Sequence, residues 1–276
     1  KMKIGYFGPA GTFTFQAAKK YGRYMGCEDL TPYRTILDVL HAVERGEIDR
    51  GIVPFENSTE GTVTFTIDAL IFDVDITIAA DMVLPIRHYL AVREGVKKEQ
   101  LTRIISHPQA LAQCHKHLEQ HYAGIEALPF GSTSAAAKQV AEKEPFWGAI
   151  CTKEAAELYG LTILEEDLQD EDDNETRFLI VAQKGTLLPE YEGRTSLAFG
   201  TDNKPGELYR ILDIIAIWDL NMTKIESRPR KDHLGKYVFY IDMESENAAD
   251  MRDALKMMER KTHFFKYFGT YHTLRL

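Results

Sequence analysis

One short stretch of the 276-residue chain places a threonine and an arginine where an acidic loop gives way to an apolar run. The stretch covers residues 170–181 and reads DEDDNETRFLIV. Along a strand, Thr176 and Phe178 share one face and Arg177 lies on the other. If the face of Thr176 looks into a ligand site, its hydroxyl is positioned to donate a hydrogen bond to the ligand. Arg177 then either pairs with the preceding acids or reaches an anion. The residues alone favour the simpler explanation, a β-favouring threonine beside an arginine neutralised by the acidic loop.

A second cluster of polar residues follows the apolar run GIVPF. Glu56, Asn57 and Ser58 stand side by side there, with a further acid and a glycine close behind. Polar groups at a strand end supply hydrogen bonds to ligands in α/β proteins. They are equally typical of a solvated turn before a helix, in which Ser58 is a cap. Composition alone leaves both explanations open.

Three predicted helix starts share small, hydroxyl or proline residues between a strand and a helix. They are GPAGTFT, ISHPQ and GSTSAAA, at residues 8–14, 105–109 and 131–137. Free backbone N–H groups and the helix dipole attract anions at such turns, although each turn alone is ordinary capping. Three of them near the carboxyl ends of strands around one cleft indicate a small ligand with several negative groups, such as a dicarboxylate.

The elements that must position these residues alternate between strand and helix up to residue 184, and the rhythm repeats after about residue 100. This alternation predicts a mostly parallel sheet covered by helices. Residues 75–92 are too long for one ordinary strand and are interpreted as a crossing between two lobes. We therefore expect an α/β domain with a central cleft, a periplasmic-binding-protein-like arrangement whose second lobe spans about residues 80–170. The segment TRFLIVAQ would close it.

The periodicity is broken by residues 184–193, which contain glycine and proline and predict a linker. After it, the patterns follow the order strand, helix, strand, strand, helix, strand. This βαββαβ order is that of a ferredoxin-like sandwich. The chain is therefore predicted to have two domains, residues 1–184 and residues 194–276.

Composition argues against nucleic acids and membranes as partners. The formal net charge is -9, from 33 basic and 42 acidic residues, and no basic stripe appears. No apolar segment reaches the ~20 residues that span a bilayer, and the start of the sequence lacks the apolar core of a signal peptide. Cys27, Cys114 and Cys151 have no CxxC spacing, so they are interpreted as reduced thiols of a cytoplasmic protein.

Neither a metal nor a cofactor is expected. His117 and His121 have a spacing that suits a metal, but their run is otherwise Lys, Glu and Gln and is typical of a solvated helix face. The glycines of FGPAGTF lack the spacing of a dinucleotide site. The acidic run before residue 174 lacks the glycine and spacing of a calcium loop.

Taken in order, six segments resemble the prephenate dehydratase family over essentially the whole chain: GPAGTFTFQAA, PFENSTEGTV, SHPQALAQC, STSAAA, GAICTKEAAELYGL and NETRF. A seventh, ESRP, is similar to the corresponding motif of an ACT regulatory domain. The resemblance implies a carbon–oxygen lyase that converts prephenate to phenylpyruvate, water and carbon dioxide without a cofactor. A chorismate mutase domain in front is not expected, because the first strand begins at Lys3.

The resemblance also implies roles for the residues of the cleft. Thr176 would assist the leaving hydroxyl, as a hydrogen-bond donor that relays a proton from water or Glu56. Arg177 would position the threonine or a substrate carboxylate, and Asn57 would complete the catalytic set. The residues expected to line the substrate are Thr12, Ser58, Ser132, Thr133 and Phe178.

In the second domain, the resemblance implies a site for L-phenylalanine at a dimer interface, and hence a homodimer or homotetramer. Its residues would be Asn203, Gly206, Glu207 and Leu208 before the first helix, and Glu226, Ser227, Arg228 and Pro229 on a strand. Gly206 would let the backbone approach the ligand, and Glu226 could hold one end of an amino acid.

Some residues depart from the family pattern. Glu207 replaces a small apolar residue and puts a charge near the effector pocket, while Phe15 and Phe55 replace a polar and an aliphatic residue. Apart from these departures, two alternatives remain open. One is an arogenate dehydratase on the same fold, and the other is a non-catalytic amino-acid sensor, against which the intact NETRF and ENS segments argue.

Overall fold

The computed structural model describes residues 1–188 and 193–276, so residues 189–192 of the predicted linker lie outside the described part of the chain. The strands form three sheets. In chain order they are β1 (Ile4–Phe7), β2 (Leu30–Tyr33), β3 (Arg50–Asn57), β4 (Gly61–Thr62), β5 (Ile76–Pro85), β6 (Tyr89–Val92), β7 (Arg103–Ser106), β8 (Glu126–Pro129), β9 (Trp147–Cys151), β10 (Thr162–Glu165), β11 (Glu175–Gln183), β12 (Arg194–Gly200), β13 (Asn221–Pro229), β14 (Tyr237–Glu244), β15 (Phe264–Tyr271) and β16 (Thr273–Leu274).

The helices cover the faces of these sheets. They are α1 (Phe13–Met25), α2 (Ile36–Glu44), α3 (Thr64–Asp68), α4 (Pro108–Gln113), α5 (His115–His121), α6 (Thr133–Glu142), α7 (Lys153–Leu158), α8 (Glu207–Ile217) and α9 (Ala248–Lys261). A π-helical turn, Ala69–Asp73, follows α3, and a 3-10 turn, Lys98–Gln100, precedes β7.

The first lobe is built on a sheet in the order β16-β5-β11-β3-β1-β2, with β4 paired to β3. β1 is parallel to β2 and β3, as the strand-helix alternation predicts, whereas β11 runs antiparallel to both of its neighbours. β11 consists almost entirely of buried residues, because it lies in the middle of the sheet and is covered on both faces. The returning segment TRFLIVAQ therefore closes the first lobe, as expected.

The second lobe is built on a sheet in the order β10-β6-β9-β7-β8. The chain enters it between β5 and β6 and leaves it between β10 and β11, so two crossings join the lobes. The first crossing lies within residues 75–92, which confirms the interpretation of that segment. Hydroxyls also bridge the lobes directly, because Ser134 and Thr152 of the second lobe donate to the carbonyls of Ala10 and Gly11.

The C-terminal sandwich consists of β12 to β15 with α8 and α9. Its sheet has the order β13-β14-β12-β15, all antiparallel, which is the order expected for a βαββαβ unit. One face packs on the two helices through Leu197, Phe199 and Ile241. The other face packs on the first lobe, while the edge strand β13 leaves every second residue exposed.

The contact between the C-terminal sandwich and the first lobe has a large apolar part. Tyr240 and Phe268 of the sandwich belong to the same buried cluster as Phe55 and Ile78 of the first lobe. The backbones approach closely at Gly269, where a Cβ atom would lie 2.8 Å from the carbonyl oxygen of Ile78. Only glycine fits there, and the contact holds β15 against β5.

Two features of the fold do not show in the periodicity of the sequence. The segment PQALAQCHKHLEQHY, residues 108–122, reads as one helical run but is broken at Cys114 into α4 and α5. The Asp170 carboxylate accepts from the backbone N–H groups of Lys116 and His117, at 3.0 and 2.9 Å, and so caps a new helix start. In addition, β16 leaves the C-terminal sandwich and pairs in parallel with β5 of the first lobe. No helix in the described part of the chain is long and apolar enough to cross a bilayer.

Candidate active site

A cleft of about 560 Å³ lies between the two lobes. The volume is within the ~300–1,000 Å³ of small-molecule sites. All three predicted helix starts border it, through Thr12 and Thr14, through His107 and Gln109, and through Ser132 and Thr133. The remaining lining residues that matter for the chemistry come from β3 and β11, from the segment directly before β6 and from the end of α4: Asn57, Thr176, Phe178, His88 and Gln113.

Thr176 and Asn57 are paired across β11 and β3 at the floor of the cleft. The Asn57 side-chain amide donates to the Thr176 hydroxyl oxygen at 2.9 Å. The amide oxygen of Asn57 determines the orientation of the side chain, because Oδ1 accepts from the backbone N–H groups of Thr59 and Glu60, at 2.9 and 3.1 Å. Since the Thr176 oxygen already accepts one hydrogen bond, its own hydrogen is free to point at a ligand.

Ser58 does not line the cleft. Its hydroxyl donates to Asn174 Oδ1 at 3.2 Å and accepts from the Glu175 backbone N–H at 2.9 Å. Thr59 also donates to Asn174, which is almost completely buried. These bonds tie the turn after Asn57 to the end of the acidic loop, so Ser58 holds the two strand ends together from the side.

Thr12 and Ser132 are the N-caps of α1 and α6. Thr12 accepts from the Phe15 N–H at 3.2 Å, and Ser132 accepts from the Ala135 N–H at 2.9 Å. Both helices therefore present their N-terminal ends to the cleft, where the dipole favours negative charge. Thr133, the first residue of α6, lines the cleft beside its cap.

Arg177 and Glu56 lie on the face opposite the cleft, as the alternation along β11 and β3 requires. Arg177 does not pair with the preceding acids. Its guanidinium donates to Asp81 at 2.7 Å, to Asp242 at 2.5 Å and to the Tyr271 hydroxyl at 2.8 Å. Burial opposes the charge of Arg177, but Tyr271 and Asp242 outweigh it and raise its pKa above the ordinary value.

Two of the predicted effector residues are engaged with the first lobe. Glu226 accepts from the Thr62 hydroxyl at 3.1 Å, and Arg228 makes a two-pronged ion pair with Asp68 at 2.6 and 2.8 Å. Ser227 and Pro229 alternate with them and are more exposed.

The other predicted effector segment precedes α8. Gly206 has φ 82°, Glu207 pairs with Arg210 at 2.9 Å, and Leu208 packs against the core of the sandwich. Asn203 is exposed in the turn before them.

Sequence reasoning missed His88, which follows the first crossing and is only 1% exposed. Its ring Nε2 lies 2.7 Å from Gln113 Oε1, and the ring meets Phe13 edge to face. Its Nδ1 has no hydrogen-bond partner among the described residues. Burial lowers the pKa of His88 despite the bond to Gln113. Its place directly after a lobe crossing is the signal that could have identified it.

His88 makes the stability of the protein depend on pH. The pKa of His88 is lower in the folded chain than in the unfolded chain, where it is ~6.5. As the pH falls below ~6.5, the unfolded chain therefore binds a proton that the folded chain does not, and the free energy of unfolding decreases. We expect urea unfolding at pH 7.5 and 5.5 to show a smaller loss in His88→Gln than in the wild type. His121→Gln, at an exposed histidine, is the control. Equal losses in all three proteins would contradict the expectation.

Among the described residues, no three His, Cys, Asp or Glu side chains are grouped closely enough to hold a metal ion. The polar groups that line the cleft are hydroxyls, amides, the imidazoles of His88 and His107, the Glu60 carboxylate and the helix N-termini. A hydroxyl held by an amide, in a cleft bordered by helix N-termini between two α/β lobes, fits the class of enzymes that act on small anionic substrates.

Comparison with known proteins identifies the family. A family model described as prephenate dehydratase matches residues 4–186, and the chain belongs to that family. The prephenate dehydratase of Methanocaldococcus jannaschii is 40% identical over 267 residues, which cover 95% of each chain.

Two solved structures extend the similarity to the whole fold. A prephenate dehydratase from Arthrobacter aurescens, in complex with L-Phe, superposes with a TM-score of 0.89 at 32% identity and covers 98% of this chain and 90% of that chain. GqqA, described as a novel type of quorum quenching acylase, has a TM-score of 0.87 at 28% identity and covers 98% of both chains.

Proposed function

We propose that this chain is a prephenate dehydratase, converting prephenate to phenylpyruvate, water and carbon dioxide in the synthesis of L-phenylalanine. The observation that carries the proposal is the hydrogen bond from Asn57 to Thr176 at the floor of the cleft, which leaves the hydroxyl hydrogen of Thr176 available for a ligand. Family membership supplies the substrate, and with prephenate in the cleft such a donor can assist the leaving hydroxyl, a role that a purely binding protein does not require.

The reaction releases the ring carboxylate as carbon dioxide, and its electron pair enters the ring. The ring becomes aromatic, and the hydroxyl at the opposite carbon leaves and takes up one proton to form water. A threonine is a poor acid at neutral pH, so Thr176 donates a hydrogen bond to the charge that develops on the leaving oxygen. The proton itself comes from water.

The other residues of the cleft hold the substrate. Prephenate carries two carboxylates, and the N-terminal ends of α1 and α6 supply N–H groups and positive dipole ends for anions. Phe178 lies under the same face as Thr176 and offers its buried ring to the ring of the substrate. Exclusion of water from a carboxylate favours its loss as carbon dioxide.

The proposed activity is tested by incubating the purified protein with prephenate and measuring phenylpyruvate by its absorbance in alkali. Formation of phenylpyruvate at an enzymatic rate supports the proposal. Turnover of arogenate in preference to prephenate would favour the arogenate dehydratase alternative, and absence of turnover with both would leave the amino-acid sensor.

We also propose that residues 194–276 form an ACT regulatory domain that binds L-phenylalanine, beside a catalytic domain at residues 1–184. The sandwich topology and the relative solved with L-Phe support this assignment. The charge of Glu207 is paired with Arg210, which reduces its effect on the nearby pocket. Enzyme turnover should fall when L-phenylalanine is added.

The assembly proposed is a homodimer or homotetramer in the cytoplasm. Tyr209, Ile217 and Ile225 leave large apolar side chains exposed at 69%, 64% and 40%, and burial against a second copy would cover them. All three cysteines are free and buried, as suits a reducing compartment. Sedimentation equilibrium measures the assembly, and a monomer at all concentrations would contradict it.

Gly206 offers a test of the effector site. Its φ of 82° is strained for alanine by about 1–2 kcal/mol, so Gly206→Ala should reshape the turn and weaken L-phenylalanine binding by about 10-fold. Isothermal titration calorimetry measures the Kd. Gly124→Ala, at another open turn with φ 88° in the second lobe, should leave the Kd unchanged. Equal binding by both variants would argue against a site at Gly206.

A further inference from the structure

The two residues at the floor of the cleft each have a strand neighbour that reaches the C-terminal sandwich. Asn57 and Thr176 face the cleft, while Glu56 and Arg177, one residue away on the same strands, face the opposite side. A shift of either strand neighbour therefore moves the backbone that carries a cleft residue. The contacts made by Glu56 and Arg177 thus bear directly on the position of the Thr176 hydroxyl.

On the β11 side, the sandwich provides the partners of Arg177. Asp242 accepts from it at 2.5 Å and is completely buried. The Asp242 carboxylate is itself held by the hydroxyls of Ser196 and Tyr240, at 2.6 and 2.7 Å. These two hydroxyls bind one carboxylate oxygen, Oδ1, and so fix the orientation of the carboxylate. Its second oxygen, Oδ2, then fixes the position of the Arg177 guanidinium.

On the β3 side, the sandwich provides Lys224. Its ammonium donates to Glu56 Oε1 at 3.1 Å and to the Thr62 hydroxyl at 2.6 Å. Thr62 is paired with Glu56 across β4 and β3 and also donates to Glu226 of the sandwich. The hairpin that carries Asn57 is therefore held on both strands by residues of β13.

Phe55 fills the space between these two attachments. It is completely buried, and β3 is bulged opposite the pair Arg177 and Phe178. Its ring lies 4.8 Å from the Arg177 guanidinium and 5.7 Å from the Lys224 ammonium, and it packs on Tyr240 at 5.3 Å. Cations over an aromatic face are attracted to it, so Phe55 joins both cations to one apolar contact.

We propose that Lys224 and Asp242 of the C-terminal sandwich are positioning residues for the reaction, acting on Asn57 through Glu56 and on Thr176 through Arg177. The proposal rests on the proposed function. Groups that act on a transition state must be held within a fraction of an ångström, and the first lobe alone does not provide both attachments. Movement of β13 and β14 relative to the first lobe changes the geometry of the cleft at its floor.

Lys224 is the better residue to test, because substitution of the completely buried Asp242 can prevent folding. Lys224→Met in the full chain should lower kcat for prephenate by about 10-fold or more, with KM within about 2-fold, because misplacement of catalytic groups acts on turnover. Lys224→Arg keeps the charge and should recover most of the loss. Asp68→Asn, which breaks the ion pair with Arg228 elsewhere on the same interface, should change kcat less than 2-fold, because neither residue lines the cleft.

A double-mutant cycle separates this role from general weakening of the interface. If Lys224 acts through Glu56, Lys224→Met combined with Glu56→Gln should lose no more turnover than the larger single effect. Additive losses, an unchanged kcat in Lys224→Met, or an equal loss in Asp68→Asn would overturn the proposal.

Hydrogen exchange tests the inference without any activity. Peptides that cover residues 55–63 and 174–178 should exchange faster in Lys224→Met than in the wild type or in Asp68→Asn. Unchanged exchange in both peptides would overturn the proposal. If the wild type does not turn over prephenate but Lys224→Met still exchanges faster than the wild type, the result would count against the proposed function. It would still support the attachment of the cleft floor to the sandwich through Lys224.

Discussion

Replacing Thr176 by alanine is expected to lower kcat for prephenate by about 100-fold or more, the usual effect of removing one preorganised donor. The substitution removes the hydroxyl whose hydrogen is left free by the bond from Asn57. Steady-state kinetics with prephenate measures the effect. The KM should change little, because the hydrogen bond strengthens only as charge develops on the leaving oxygen.

Thr176→Ser is the matched control, because it keeps the hydroxyl and removes only a methyl group. It should retain much more activity than Thr176→Ala, and the two melting temperatures should lie close together. Near-native turnover by the alanine variant would exclude Thr176 as the donor. Equal losses in the serine and alanine variants would indicate that packing of the side chain matters more than its hydroxyl.

Replacing Arg177 by methionine is expected to destabilise the protein by about 3–5 kcal/mol, the range found when one partner of a buried ion pair is removed. Asp81 and Asp242 are completely buried, and Arg177 donates to both of them. Arg194 still reaches Asp81, but Asp242 keeps only hydroxyl donors. Urea-induced unfolding measures the change in the free energy of unfolding.

Arg87→Met provides the control for this prediction. Arg87 also faces two carboxylates, Asp172 at 3.1 Å and Asp167 at 3.7 Å, but the Asp172 side chain is 81% exposed. Ion pairs in water contribute roughly 0–1 kcal/mol, so Arg87→Met should change the free energy of unfolding by less than about 1 kcal/mol. Similar losses in both variants would show that Arg177 is not the centre of a buried network.

The faces of β11 could be predicted from the sequence because side chains alternate along any strand. Thr176 and Phe178 were expected on one face and Arg177 on the other, and the register with β3 confirms this. The βαββαβ order and the crossing between the lobes were likewise readable, since they depend on local periodicity. These features need no knowledge of which distant residues meet.

The partners of Arg177 could not be predicted in this way. Its carboxylates lie 96 and 65 residues away along the chain, whereas the acidic loop that was expected to neutralise it is adjacent. A β-strand carries Arg177 away from that loop, and only the packing of the C-terminal sandwich brings Asp242 to it. The same holds for Glu56, whose place in a proton relay was expected and whose carboxylate instead meets Lys224.

Phe55 illustrates a departure whose reason appears only in the structure. In the sequence, Phe55 shows only as an aromatic residue where the family pattern has an aliphatic one before Glu56. In the fold, its ring lies between the cations of Arg177 and Lys224 and packs on Tyr240. A smaller aliphatic side chain would leave part of that space empty, because the bulge in β3 points this side chain at the sandwich.

The pairing of β16 with β5 restricts how the C-terminal sandwich can move. The sandwich is joined to the first lobe at one end through the chain before β12 and at the other through β16, and Lys20 also holds the carbonyl of Leu276 at 2.7 Å. These attachments add to the buried contact between the sandwich and the first lobe. Because β5 is paired with both β16 and β11, a displacement of the sandwich must either break the β16 pairing or carry with it the neighbour of the strand that bears Thr176.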